Sequence, residues 1–383
     1  MSRPHLPPAA APMTFGDAAE SQVAPAIASR RRLLGWSASS LPVAPLLLAG
    51  MVLGPEGLAV LSSSALAAVD PAIPVALAAL GILIGLEAGA GRAHGHPGSG
   101  VGAVHALFTA AIVAGGLFGV IHLESTADPT HWLFAILCGV CAASSLTLPG
   151  RSLPEPRRHT DALVEAEVVM AIVAGAAVLA YARRDSAPGA ALLLAQIIGV
   201  VSVLAAAGWL LTRPTTSTTE RRVFVMAALL LVGGAADFLA SSPLFGGLCA
   251  GLLWQRLGGN SREVLHGETL YVQHPLVVLV LLVAGARTQM TPGMLSLTAA
   301  YLGLRTVARY LGGTAIQRLR PATSRALRLE LVAPGVFGVA FALNAARAVA
   351  ADAGGGPSVL SVVVLGTLLS DVVARLVASR EVA

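Results

Sequence analysis

The chain has 383 residues, of which 55% are hydrophobic and only 12% carry a formal charge. Soluble domains average about 25% charged residues, so this composition excludes a water-soluble enzyme with a charged surface, and the apolar content excludes disorder. All 25 basic residues are Arg and are not clustered with aromatic residues, so the net charge of +5 does not indicate nucleic-acid binding. The composition predicts a polytopic membrane protein.

The first 40 residues are rich in Pro, Ala and Ser and end near the basic run Arg30-Arg31-Arg32, which predicts a flexible cytoplasmic tail. From residue 41 onward, twelve apolar stretches of membrane-spanning length follow one another. These spans 1 to 12 cover residues 41–61, 71–91, 101–123, 131–150, 161–182, 188–211, 222–240, 243–257, 270–287, 293–312, 328–350 and 358–378. The sequence therefore predicts one all-α transmembrane domain over residues 41–383.

The Arg residues are distributed unevenly between alternate loops. The N-terminal tail, the loops after the even-numbered spans and the C-terminus hold 19 of them, whereas the loops after the odd-numbered spans hold 4. Cytoplasmic loops of membrane proteins carry the Arg excess. We therefore predict that both termini are cytoplasmic and that the chain is a multi-pass protein of a bacterial inner (plasma) membrane.

Two short patterns recur about 200 residues apart along the chain. The matches are Pro42 and Ala49-Gly50 in span 1 with Pro243 and Ala250-Gly251 in span 8, and Gly85-Leu86-Glu87 in span 2 with Gly285-Ala286-Arg287 in span 9. A shift of seven spans is odd, so the two copies must run in opposite directions through the bilayer. The sequence thus predicts two inverted five-helix repeats, 41–182 and 243–378, with connecting helices over 188–240.

Spans 4 and 11 carry the residues that interrupt helices. Span 4 has Ser144-Ser145 at its middle and span 11 has Pro334-Gly335. Pro lacks a backbone donor and Gly loosens a helix, so carbonyl groups are freed at membrane depth. These carbonyls and the serine hydroxyls predict a site for a dehydrated monovalent cation where the two broken spans cross. An ordinary kink in each helix is the alternative.

Five ionisable side chains remain as candidates inside the predicted spans, where a charge is costly. Glu165 and Glu167 lie near the start of span 5, about 160° apart around the helix, so one can face a cavity while the other faces a neighbouring helix. Arg305 and Arg309 on span 10 are placed to compensate a span 5 carboxylate when no substrate is bound. Asp371 on span 12 matches the span 5 carboxylates by repeat offset. Interfacial charges and snorkelling arginines are the alternatives.

The sequence contains no pattern typical of an enzyme. Cys138 and Cys141 form a C-x-x-C on one apolar helix without a second pair, which is a weak indication of a metal or redox site. No nucleophile–base pair stands out either. We therefore expect no catalytic residues, no metal and no cofactor.

The same residues fall where the monovalent cation:proton antiporter superfamily has its motifs. The resemblance covers residues 41–378 and rests on Leu41-Pro42 through Ala49-Gly50, Leu53-Gly54-Pro55-Glu56-Gly57-Leu58, Gly85-Leu86-Glu87, Ser242-Pro243 through Ala250-Gly251, Gly285-Ala286-Arg287 and Pro334-Gly335. It implies a scaffold bundle that forms a homodimer, beside a core domain in which two broken helices cross. It also implies exchange of Na⁺ or K⁺ for protons by an elevator-like movement of that core.

The chain departs from this family at the candidate site. The family has an Asp-Asp or Asn-Asp pair on the helix of span 5, where this chain has Glu165 and Glu167, and Ser144-Ser145 stands near the family's Thr-Ser-Pro. We expect a secondary transporter whose cation binds Glu165 or Glu167 with Ser144, Ser145 and freed carbonyls, and is released when the carboxylate is protonated. The alternatives are a non-transporting scaffold or regulator with the same fold, and a transporter of organic anions.

Overall fold

The computed structural model describes residues 43–93, 99–124, 131–144, 158–213, 217–291, 293–319, 335–349 and 358–382, and these parts are helical with short connections. They contain thirteen helices, which we number in chain order. The helices are α1 (Val43–Leu53), α2 (Ser63–Val69), α3 (Ala72–Ala93), α4 (Ser99–Glu124), α5 (His131–Ala142), α6 (Arg158–Arg184), α7 (Ala187–Thr212), α8 (Thr218–Phe238), α9 (Pro243–Leu257), α10 (Gly259–Ala286), α11 (Met294–Leu319), α12 (Val336–Val349) and α13 (Val359–Val382). The predicted tail over residues 1–40 lies outside the described residues.

Each of the twelve predicted spans overlaps one of these helices, and the bounds differ at the ends. The sequence did not predict α2, which forms a pair with α3 that is bent by 48°. Helix α10 begins at Gly259 rather than at residue 270, because polar residues such as Glu263 and Glu268 lower the hydropathy of its first turns without lowering helix propensity.

Several helices are long and apolar enough to cross a membrane. Segments of α4, α6, α7 and α10 meet that criterion among the described residues, and the bent pair of α2 and α3 is a fifth if it counts as one span. Shorter apolar helices occur at α1, α5, α12 and the first part of α13. The lengths and compositions are those of a multi-pass membrane protein.

Two helix crossings are made by glycines on both partners. A Cβ on Gly85 of α3 would meet Gly251 Cα of α9 at 2.9 Å, and a Cβ on Gly251 would meet Gly85 Cα at 3.0 Å. Gly50 of α1 and Gly285 of α10 stand in the same relation, each 3.1 Å from a Cβ built on the other. Glycine on both sides lets two helix backbones touch, which is how helices pack without a hydrophobic driving force in lipid.

Charged residues tie several helix ends together at one end of the bundle. Arg287, after α10, donates to Asp70, between α2 and α3, at 2.5 Å, and Arg347 near the end of α12 lies 3.8 Å from the same carboxylate. Arg347 also lies 3.2 Å from Asp237 near the end of α8. At the opposite end of α8, Arg222 pairs with Glu268 of α10 at 3.1 Å. The ends of predicted spans 1, 7, 9 and 11 therefore meet on one side.

Candidate functional site

The carboxylate of Glu167 lies at the centre of a buried polar cluster. Glu167 lies on α6 and is fully buried. Its Oε2 accepts a hydrogen bond from Arg309 Nη1 of α11 at 2.8 Å, and its Oε1 is bonded to Nδ1 of His105 on α4. Three helices thus contribute one ionisable side chain each, and all three side chains are withdrawn from the surface. Buried charges persist when they are paired in this way.

The second arm of Arg309 reaches the C-terminal end of α5. Its Nη2 donates to the carbonyl oxygen of Ala142 at 3.0 Å. Ala142 is the last residue of α5, and the next two residues, Ala143 and Ser144, are not helical. The guanidinium of Arg309 is therefore hydrogen-bonded to the carbonyl end of α5, inside predicted span 4.

The start of α12 packs against this helix end. A Cβ on Gly338 would come within 2.9 Å of the Cys141 carbonyl oxygen and 3.0 Å of Ser144 Oγ. Ser144 is buried, and its hydroxyl donates to the Cys141 carbonyl at 3.1 Å. Gly335, also buried, immediately precedes α12. The described ends of the two interrupted spans therefore meet beside the Glu167 cluster.

Among the described residues, the ring of His105 is hydrogen-bonded through one of its two nitrogens. Its Nδ1 forms a hydrogen bond with Oε1 of the Glu167 carboxylate. Its Nε2 is buried and has no hydrogen-bond partner among the described residues. That edge of the ring lies against Gly312 of α11, where a Cβ would overlap Nε2 and Cδ2. Thr109, one turn further along α4, has a buried hydroxyl that likewise has no partner in the described part of the chain.

The remaining sequence candidates lie around the cluster or outside the described residues. Arg305, one turn before Arg309, is buried and points toward α13, with its Nη1 3.5 Å from Ser370 Oγ. Asp371 follows Ser370 on α13 and is half-buried. Glu165 is half-buried on α6, whereas Glu167 is fully buried. Ser145 and Pro334 lie outside the described residues.

Sequence reasoning missed His105. A signal for it was present, because a histidine inside the predicted span 101–123 is an ionisable group in an apolar segment. The predicted candidates inside the spans were instead Glu165, Glu167, Asp371, Arg305 and Arg309. Among the described residues no group of three or more His, Cys, Asp or Glu side chains is arranged to hold a metal ion.

Comparison with known proteins shows that this fold is antiporter-like. No family model matches the chain, and no curated protein matches it either. Among solved structures, the sodium proton antiporter MjNhaP1 from Methanocaldococcus jannaschii matches with a TM-score of 0.61 and 16% sequence identity. The match covers 93% of this chain and 99% of that one. At this identity the likeness shows the fold alone, and that fold agrees with a multi-pass membrane protein.

Proposed function

We propose that the protein is a secondary active transporter that exchanges a monovalent cation, Na⁺ or K⁺, for protons by alternating access. The observation that carries this proposal is the buried Glu167–Arg309 pair, which is also bonded to the Ala142 carbonyl where α5 ends beside the start of α12. A carboxylate next to the backbone carbonyls of a helix end supplies the kind of oxygen ligands that a dehydrated cation requires.

Arg309 holds the site when no cation is present. Its guanidinium takes two of the oxygens that a cation needs, Glu167 Oε2 at 2.8 Å and the Ala142 carbonyl at 3.0 Å. A cation that binds there displaces the guanidinium, and Ser144, with Ser145 beside it in the sequence, supplies further oxygens. The exchange of one positive charge for another keeps Glu167 compensated throughout, which avoids the cost of a bare buried carboxylate.

The glycine crossings support the inverted repeats of the proposed architecture. Gly50 and Gly251 are one matched pair of the two repeats, and Gly85 and Gly285 are the other. The contact of Gly50 with Gly285 is therefore the repeat-related counterpart of the contact of Gly251 with Gly85. A pseudo-twofold axis that exchanges residues 41–182 with 243–378 produces both contacts from one arrangement. From the sequence patterns and the family resemblance described above, we also propose that the chain crosses the membrane twelve times, that both termini are cytoplasmic and that the protein is a homodimer.

A second candidate is a scaffold or regulator that retains the fold without transporting ions. The observation that favours it is the occupancy of Glu167, since both carboxylate oxygens are already bonded within the chain. A cation must then compete with Arg309, and a chain that had lost transport would keep the pair for stability alone.

Transport in liposomes discriminates the two. Purified protein is reconstituted in vesicles with an imposed pH gradient, and we expect addition of Na⁺, Li⁺ or K⁺ to dissipate that gradient. We expect E167Q to slow exchange by about 100-fold or more, because it removes a buried charged partner. The exposed carboxylate of Glu263 offers a matched control, E263Q, which should behave like the wild type.

This experiment distinguishes the transporter from the scaffold when each variant is shown to be folded. No response to any of the three cations from folded, oriented wild-type protein would contradict the transporter and support the scaffold. Exchange that survives E167Q unchanged would move the site to another carboxylate, with E165Q and D371N as the next variants.

A further inference from the structure

We infer that Arg347, Asp70 and Asp237 form an ion-pair latch that closes one end of the transport pathway, and that these pairs break each time the site is exposed at that end. This role rests on the proposed function, because the latch controls one of the two conformations between which the transporter alternates. The packing of the helices, the position of the ion pairs in that packing and the partners that the charges keep on opening carry the inference.

The described helices pack as two groups. One contains α1, α3 and α7 to α10, and the other contains α4 to α6 and α11 to α13. The most extensive neighbour of each of these helices belongs to its own group. Glu167 and Arg309 lie in the second group, which we call the core group, and we call the first the scaffold group.

Direct backbone contact holds each group together. A Cβ on Gly81 of α3 would meet the Leu244 carbonyl oxygen of α9 at 2.1 Å, within the scaffold group. A Cβ on Gly102 of α4 would meet the Leu163 carbonyl oxygen of α6 at 2.2 Å, within the core group. Helices in such contact cannot shift past one another without a clash. A movement that exposes Glu167 alternately at the two ends therefore occurs at the boundary between the groups.

The latch crosses this boundary. Arg347, near the end of α12, belongs to the core group, and its Nη1 lies 3.2 Å from Oδ1 of Asp237 in the scaffold group. Its Nε lies 3.8 Å from Oδ1 of Asp70, which precedes α3 in the scaffold group. About one turn earlier on α12, Asn344 donates to Ser242 Oγ at the start of α9 at 3.0 Å, and both residues are buried. The two groups are thus closed against each other at this end.

The latch lies far from Glu167. Arg183, the second-last residue of α6, donates to the carbonyl oxygen of Ala348, the neighbour of Arg347, at 3.0 Å. Arg183 lies about 24 Å beyond Glu167 along the axis of α6. The latch therefore does not touch the proposed cation ligands, and it acts through the boundary that a cation must pass to leave at this end.

The groups keep partners when the latch opens. Asp70 remains paired with Arg287 at 2.5 Å inside the scaffold group, and the Asp237 side chain is 45% exposed, so water solvates it. Ser242 Oγ still accepts from the Phe245 backbone N–H at 3.3 Å. Ion pairs exposed to this degree contribute little individually and separate at low cost. The latch therefore favours one conformation without preventing the other.

Cross-linking tests the latch in the full-length chain with Cys138, Cys141 and Cys249 replaced by serine. D237C/R347C is reconstituted in liposomes and joined across the boundary by a short bifunctional methanethiosulfonate reagent. We expect exchange to slow by about tenfold or more relative to the same reduced protein, because the joined groups cannot separate, and to recover on reduction. The matched control is D70C/R287C, a pair at the same end that lies wholly in the scaffold group, and its cross-link should leave the rate unchanged.

Cation affinity in R347Q provides a second readout in an otherwise wild-type chain. Exchange is measured in vesicles of each orientation, so that the cation reaches the protein from one end at a time. We expect the apparent affinity to tighten by about two- to threefold from the latch end and to weaken from the opposite end, because the population exposed at the latch end rises. R222Q is the control, since Arg222 and its partner Glu268 both lie in the scaffold group. Its affinities should match the wild type at both ends.

The outcomes distinguish the latch from the proposed function. Cross-linked D237C/R347C that exchanges at its reduced rate overturns the latch, and so does an equal loss in the cross-linked control, because the effect would not depend on the boundary. If the cysteine variants fail to fold, R347Q decides, and affinities that stay at wild-type values or weaken at both ends overturn the latch. Wild-type protein that exchanges no cation contradicts the proposed function itself.

Discussion

Arg309 is suited to its position by the shape of its side chain. The guanidinium presents two N–H groups in a fixed plane, and here one is bonded to the Glu167 carboxylate and the other to the Ala142 carbonyl. A lysine ammonium is a point charge without that planar fork, so it cannot reproduce both bonds with the same geometry. The residue thus joins α11 to α6 and to the end of α5 through one charged group.

Removing one partner of this pair should cost more than removing both. We expect R309Q to lower the free energy of unfolding by about 3–5 kcal/mol, because it leaves the fully buried Glu167 uncompensated. The double variant E167Q/R309Q should recover most of that loss, since no buried charge remains. Reversible unfolding in mixed micelles measures both. Equal losses for R309Q and E167Q/R309Q would show that the pair is not electrostatically coupled.

The sequence predicted which residue types would meet at the site better than it predicted their contacts. Glu167, Arg309 and Ser144 were recognisable as polar groups at membrane depth. The sequence could not show which of Glu165 and Glu167 is buried, because this depends on how α6 is rotated against its neighbours. Two residues along a helix turn the side-chain direction by about 160°. His105 was not predicted, although it is an ionisable residue inside an apolar span.

At the scale of whole helices, close packing depends on where glycine occurs. Gly251 of α9 lies against the backbone of α3, whereas Gly234 of α8 has open space where a Cβ would be. Both glycines lie inside helices, so their effects on helix propensity are similar. The two glycines differ in what surrounds the position that a Cβ would occupy.

These two glycines should respond to alanine in opposite ways. We expect G251A to lower the free energy of unfolding by about 1–3 kcal/mol, because the new methyl group must push α9 away from α3. We expect G234A to raise it by up to about 1 kcal/mol, since alanine favours a helix and nothing obstructs it. The same unfolding measurement applies to both. A stable G251A would indicate that the α3–α9 crossing is looser than described.

Helix positions were largely predictable from hydropathy, and their ends were not. The twelve apolar stretches each overlap a helix because a long apolar segment in a membrane must satisfy its backbone internally. The short helix α2 was missed because it follows α1 closely and begins at a serine cap, Ser62, within a stretch too short to be read as a span. Helix α5 ends at Ala142, inside predicted span 4, and the residues that follow Ser144 lie outside the described part of the chain.

At the scale of the whole molecule, ion pairs join helix ends at both ends of the bundle. The cluster of Asp70, Asp237, Arg287 and Arg347 joins helix ends that the Arg distribution assigns to the outer face. The pair of Arg222 and Glu268 joins ends assigned to the cytoplasmic face. These exposed or half-exposed pairs are worth little stability individually. Their value is that they show which helix ends lie on the same side.

Helix α7 offers a direct test of that sidedness, because its two ends carry exposed small residues. Ala187 begins the helix and Ser217 follows its end, and the segment between them is long and apolar enough to span the bilayer. In a background with Cys138, Cys141 and Cys249 replaced by serine, A187C and S217C can be labelled separately with a membrane-impermeant thiol reagent. Because the Arg excess places Ser217 in the cytoplasm, we expect S217C to react only in inside-out vesicles and A187C only in right-side-out vesicles. Reaction of both from one side would mean that α7 does not cross the membrane, and a reversed result would mean that the whole bundle is inserted with its termini outside.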